Sequence, residues 1–205
     1  MHQYVSLIMA KNMHNVIGDY NNDIPWLKKP HYDVKADMAF FREMTLGSAV
    51  VMGGNTFRSF VKPLPNRLNI VVSQSLKSDL ENNVLVCSGI NQLVNTLSDI
   101  DTDIFVIGGA SLAQQMLERE LIDFAFISNI NSDNTSNGIK LDTDLIGNQL
   151  QFLQTKYYHG EDGSLSIDVY GEAGVNLPSS LSCKLKRLSQ QLPLVKVDRN
   201  HGNYS

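Results

Sequence analysis

Cysteine, tryptophan and proline are scarce in this chain of 205 residues: two, one and six, respectively. Cys87 and Cys183 stand far apart, with no C-x-x-C or metal-ligand spacing. That pattern argues against a disulfide scaffold, leaves no metal site to expect, and predicts free thiols in a reducing compartment. Long apolar runs are missing too, so no membrane-spanning helix and no membrane partner are expected. The opening M-H-Q-Y-V-S-L-I-M-A has no signal-peptide pattern, and a cytoplasmic location is the expectation. Basic charge is not in excess: Lys and Arg total 17 against 21 Asp and Glu, a formal net charge of −4. No general nucleic-acid partner is therefore expected. With 42% hydrophobic and 19% charged residues, the composition is that of a folded globular protein.

What is present is an alternation. Short apolar runs at 4–10, 49–52, 68–73, 84–87 and 104–107 read as strands, several apolar enough to be buried on both faces. Helical spacing falls between and after them, at 33–45, 55–60, 90–98 and beyond Gly108-Gly109. That order implies a mostly parallel sheet flanked by helices. Later runs at 124–130, 150–158 and 165–170 read as further strands. The last two are joined by the turn-rich Gly160-Glu161-Asp162-Gly163, which predicts an antiparallel edge. The whole is an α/β domain over 1–170 with an eight-stranded mixed sheet, followed by an extension over 171–205. In the extension, Leu181, Leu185, Leu188 and Leu192 fit an amphipathic basic helix ending at Pro193. Its expected role is self-association or binding of a protein partner, the alternative being a helix packed on the body.

Four local features carry chemistry. Asp37 lies three residues after Val34 and four before Phe41, on the apolar face of its helix. A carboxylate there must find strong partners, take up a proton, or reach water at an edge. The strand at 104–107 runs into Gly108-Gly109 and a helix, and Val50-Val51-Met52 runs into Gly53-Gly54-Asn55-Thr56. Such junctions bring a phosphate close to backbone N–H groups at a helix start, although tight turns needing small residues look the same. Pro63-Leu64-Pro65-Asn66-Arg67 delivers an arginine suited to a bidentate carboxylate contact, or to water. The polar turn at 21–23 ends in Ile24-Pro25-Trp26, a loop anchored by the sole tryptophan or the entry to a core tryptophan.

Taken in order, V-S-L-I-M-A (5–10), N-V-I-G (15–18), D-I-P-W (23–26), D-M-A-F-F-R (37–42), V-V-M-G-G-N-T-F (50–57), P-L-P-N-R-L-N-I-V-V-S (63–73) and F-V-I-G-G-A-S (105–111) resemble the dihydrofolate reductase family. The likeness covers about 4–130 and fades beyond 170. It implies hydride transfer from NADPH to dihydrofolate, giving tetrahydrofolate for one-carbon metabolism and thymidylate synthesis. Dihydrofolate and antifolate-like small molecules would be its ligands. By the same resemblance Asp37 is the acid of the pterin pocket, supported by Ser128, with Ile24 on the closing loop and Trp26 as its anchor. Ala10, Met38, Phe41, Phe60 and Ile107 would contact substrate, and Arg67 the carboxylate of its glutamate tail. Ala10, Ile17, Gly18, Gly53, Gly54, Asn55, Thr56, Ser73, Gln74, Gly108, Gly109, Ala110, Ser111 and Leu112 would line the cofactor site.

The chain departs from the family in three places. The stretch 27–35 is long, making Asp33 a rival to Asp37 by spacing, while the register of D-M-A-F-F-R favours Asp37. Positions that often carry a base for the cofactor's 2′-phosphate hold Gly54, Gln74 and Ser111, leaving Arg58 or Lys77 to supply it and NADH as a possible donor. Ala113 and Leu145 replace frequent aromatics. Two other readings remain: a related pterin or flavin-pathway reductase, and a folate-binding structural or assembly protein using the extension as its contact surface.

Overall fold

The computed structural model describes residues 3–21, 23–28, 32–132, 136–160 and 163–191. Eight strands form its main sheet: β1 (Val5–Asn12), β3 (Ala49–Gly53), β4 (Leu68–Val72), β5 (Val84–Cys87), β6 (Ile104–Gly108), β7 (Phe124–Ile130), β9 (Gln151–Gly160) and β10 (Gly163–Gly171). They lie in the order β5-β4-β3-β6-β1-β7-β10-β9. Neighbours from β5 to β7 pair in parallel, and β10 runs antiparallel to both β7 and β9. The expected mixed, mostly parallel sheet is the one observed. The turn at Glu161-Asp162 lies outside the described residues.

Alternation along each strand splits the core into two layers. Ile8, Val50, Met52, Phe105 and Phe126 face one layer with helix α1 (Tyr32–Thr45). Leu7, Ala49, Val51, Ile104 and Val106 face the other, with α3 (Ile90–Leu97) and α4 (Ala110–Glu118). A short helix, α2 (Gly54–Ser59), follows β3 directly.

Three elements escape the periodicity reading. Strands β2 (Val16–Gly18) and β8 (Ile139–Lys140) make a separate two-stranded sheet, too short for an alternation to show. Helix α5 (Thr143–Gln149) is started by Asp142, whose carboxylate accepts from the Leu145 amide at 2.8 Å. This is a side-chain N-cap that satisfies one orphan donor.

The extension corrects an expectation. Helix α6 spans Ser179–Gln191, as the leucine spacing predicted, but its apolar face is not free. Leu181, Leu185 and Leu188 are buried in the core layer that holds Phe40 and Met44 of α1. Burying each such leucine contributes about 1.5–3 kcal/mol, so α6 is held to the body by its own stripe. The leucine stripe is thus packed on the body, as in the second of the two readings, and Lys186 and Arg187 are on the exposed side of α6. Leu192, Pro193, Lys196, Asp198 and Arg199 lie outside the described residues.

Candidate active site

A cavity of about 680 Å³ opens where the C-terminal ends of β3 and β6 meet α1, α2 and α4. That is the crevice where open α/β sheets bind ligands, and the volume is within the usual range for small-molecule sites. Asp37, Met38 and Phe41 enter it from α1, Met9 and Ala10 from β1, Ile17 and Gly18 from β2, and Ile24 from the following loop. That loop is closed on Asp19, whose carboxylate accepts from the amides of Asn21 and Asp23 at 2.8 and 2.9 Å. The Asp19 amide donates in turn to the Asp23 carbonyl at 2.8 Å.

Asp37 is the acid of this cavity, half-buried in its wall. Its pKa is pushed up to about 6, chiefly by burial, with a smaller push from the charge of Asp33. The nearby Ser128 hydroxyl opposes the rise. That hydroxyl is fully buried, close to the carboxylate but without a hydrogen bond to it. Asp33 is used differently. One of its oxygens accepts from the Asn131 amide at 2.8 Å and the other from the Val34 amide at 3.0 Å. It pins the start of α1 to the end of β7 and does not line the cavity. Geometry thus separates the two rival acids.

The opposite wall is built from the two Gly-Gly turns. Helices α2 and α4 begin at Gly53 and Gly109, and neither cap residue makes a side-chain capping bond. Both turns line the cavity, with Asn55, Thr56, Ala110, Ser111 and Leu112. Gly108 has φ +133, a conformation that favours glycine, and a Cβ there would meet Thr56 Oγ1 at 3.5 Å. Uncapped N–H groups and bare backbone on one wall suit an anionic group. Beside them, Arg58 donates to Asn55 Oδ1 at 3.1 Å and to Ser75 Oγ at 2.8 Å. Its Nη1 lies 3.4 Å from where a Gly54 Cβ would stand, and Ser73 Oγ lies 3.1 Å from it. Among the described residues lining the cavity, Arg58 is the sole cation.

The structure brings most of the expected site residues together: Ala10, Ile17, Gly18, Ile24, Asp37, Met38, Phe41, Gly53, Gly54, Asn55, Thr56, Phe60, Ser73, Ile107, Gly108, Gly109, Ala110, Ser111 and Leu112 all line the cavity. Four do not. Trp26 is buried in the core beneath the loop, an anchor without cavity surface. Ser128 sits behind Asp37. Gln74 is exposed and gives way to its neighbours Ser73 and Ser75. Arg67 is buried, with Nε donating to Thr45 Oγ1 at 2.9 Å and Nη1 to the Pro65 carbonyl at 2.7 Å. It lines a separate shallow depression with Gly47, Ser48 and Asn66.

The family model for dihydrofolate reductase matches residues 4–146. The chain belongs to the dihydrofolate reductase family. It is 40% identical over 114 residues to the dihydrofolate reductase of Haemophilus influenzae, covering 56% of this chain and 65% of that protein. Against the Bacillus subtilis dihydrofolate reductase it is 36% identical over 108 residues, 53% of this chain and 59% of that one. The chain thus spans less than two thirds of these relatives' length. In three dimensions it is similar to an Enterococcus faecalis dihydrofolate reductase complexed with NADP(H) and RAB-propyl. That likeness has a TM-score of 0.66 at 20% identity, covers 83% of this chain and 96% of that one, and bears on the fold.

Several residues that line this dihydrofolate reductase-like cavity have no signal in the local motifs. Leu27, Gln115 and Ile139 arrive from a 3-10 turn, the second turn of α4 and β8. For Ile139, only the β2–β8 pairing places it, opposite Gly18.

Proposed function

We propose that this chain reduces 7,8-dihydrofolate to 5,6,7,8-tetrahydrofolate with NADPH, supplying one-carbon metabolism. The observation that carries the reading is Asp37: a half-buried acid, raised to about 6, facing a cavity whose far wall suits a dinucleotide. NADPH would supply the hydride that reduces the C6=N5 bond at C6, while N5 takes a proton. Asp37 would hold the donor-rich edge of the pterin and favour its protonated form near neutral pH. Met38, Phe41, Phe60 and Ile24 would pack on the rings and exclude water. The Gly53-Gly54 and Gly108-Gly109 turns would take the pyrophosphate region. Arg67, pre-oriented by Thr45, Pro65 and the Arg42 carbonyl, stands outside the cavity lining and would offer its remaining N–H groups to a glutamate carboxylate that extends beyond the rings.

Arg58 bears on the choice of nicotinamide. NADPH and NADH differ in charge only at the 2′-phosphate. Arg58, Ser73 and Ser75 form a cluster that suits a phosphate over the bare Gly54. Lys77, the alternative base, is exposed and outside the lining. One charge-assisted hydrogen bond contributes about 1.5–3 kcal/mol, so NADPH should be preferred by roughly 10- to 100-fold in kcat/KM. Arg58→Ala should erode that preference and Lys77→Ala should leave it. Two unpaired thiols, Cys87 and Cys183, suit a reducing compartment, and the cytoplasm is the proposed location. No helix among the described residues is long and apolar enough to cross a membrane.

Loss of nicotinamide absorbance, measured with and without dihydrofolate, tests the reading. Dihydrofolate-dependent oxidation of NADPH supports it. Tight dihydrofolate binding without turnover would favour a folate-binding structural protein.

A further inference from the structure

Helix α6 packs on α1, the helix that carries Asp37 and Phe41 to the cavity. Its buried stripe of Leu181, Leu185 and Leu188 includes a residue that does not belong in an apolar layer, Lys184. The Lys184 ammonium is buried and donates to the Met44 carbonyl at 2.5 Å and to Ser48 Oγ at 2.8 Å. It also stands 5.0 Å from the centre of the Phe105 ring. Met44 is in the last turn of α1, where carbonyls have no intrahelical partner and the helix dipole favours a cation. One residue on, Thr45 Oγ1 donates to the Phe41 carbonyl at 2.7 Å and accepts from Arg67 Nε at 2.9 Å. Phe41 lines the cavity, and Arg67 is the proposed carboxylate clamp. One turn along α6, Arg187 pairs with Glu43 of α1 at 2.9 Å.

We propose that Lys184 is a positioning residue for the substrate end of the cavity: by capping the last turn of α1, it fixes the Thr45–Arg67 pair and the backbone beneath Phe41. A leucine would have served adhesion alone at position 184. A buried ammonium is costly, and burial lowers its pKa, with Asp103 and Glu43 raising it and Arg187 and Arg67 adding to the fall. The cation is accepted where two oxygens and an aromatic face receive it. The cofactor wall, built from α2 and α4, has no part in this contact. The effect should therefore be confined to substrate.

This inference rests on the reductase reading, and the test separates the two. Full-length wild type, Lys184→Met, Lys184→Gln and Arg187→Ala are titrated calorimetrically with dihydrofolate, with a pterin lacking the glutamate tail, and with NADPH. Coupling through such a contact should raise the Kd for dihydrofolate about 3- to 10-fold in Lys184→Met and change that for NADPH less than about 2-fold. Lys184→Gln, which keeps a donor, should lie between Lys184→Met and wild type. The tail-less pterin should respond less than dihydrofolate. Arg187 is largely exposed, so Arg187→Ala should fold and show a smaller loss of the same selectivity should the Lys184 variants not fold. Equal weakening of dihydrofolate and NADPH, or no weakening of either, overturns the positioning role while leaving the reductase reading intact. Wild type that binds neither ligand overturns the reductase reading and this inference with it.

Discussion

Asp33 and Asp37 stand one turn apart on α1, on the same side of the helix, and have different neighbours. In the first turn, Asp33 accepts from the amides of Asn131 and Val34, and the protein itself satisfies the charge. In the second turn, Asp37 faces the cavity, and burial lifts its pKa to about 6. A carboxylate satisfied by backbone amides fixes a helix; one aimed into a cavity without such partners is available to a ligand. Spacing along the sequence cannot tell them apart, because both fall on the buried face.

The largest expected effect sharpens that contrast directly. Asp37→Asn should lower the single-turnover hydride-transfer rate at neutral pH by roughly 10²- to 10⁴-fold, with partial recovery in acid as substrate protonates from solvent. Asp33→Asn, which keeps an acceptor, should stay within about 3-fold of wild type, since the lost charge is not part of the chemistry. Comparable losses in both variants would break the distinction.

Stability should show the reverse assignment. Asp33→Ala leaves the Asn131 and Val34 amides without their acceptor and should cost about 1–3 kcal/mol, read from denaturant midpoints at pH 7. Asp37→Asn should be stabilising at that pH, by about 1–2 kcal/mol. The sign follows from the raised pKa. Between about 4 and 6 the folded protein binds more protons at Asp37 than the unfolded chain, so stability falls as pH rises through that window. The penalty is complete above 6, and removing the carboxylate relieves it. Wild type and Asp37→Asn should therefore converge in stability only in acid, below about pH 4, where the wild-type carboxyl is protonated in both the folded and the unfolded state.

The smallest effect concerns Ser128. Its hydroxyl opposes the rise at Asp37 from nearby. Ser128→Ala should move the Asp37 midpoint further up, by less than about one pH unit, with little change in unfolding midpoint.

Much of this arrangement was legible in the sequence because it rests on short-range rules. Strands with period-two burial, Gly-Gly turns at strand ends and an acid on an apolar helix face each leave a local trace. What was not legible depends on partners distant in the chain. The identity of the Asp33 partner, Asn131, is 98 residues away, and that of Lys184, Met44, is 140 away. The basic stripe of α6 therefore read as an exposed interaction face, when one of its lysines caps α1. Ile139 reaches the cavity through a two-residue strand with no periodicity of its own. For Arg67, nothing in P-L-P-N-R shows that Thr45 and Pro65 take two of its donors and leave the others for a ligand.

Carboxyl-carbon NMR titration of the wild type, Asp33→Asn and Asp37→Asn proteins tests the central claim most directly. One aspartate carboxyl should titrate at about 6, retained in Asp33→Asn and absent from Asp37→Asn. A resonance near 6 that disappears with Asp33, or none in that range in the wild type, would contradict it.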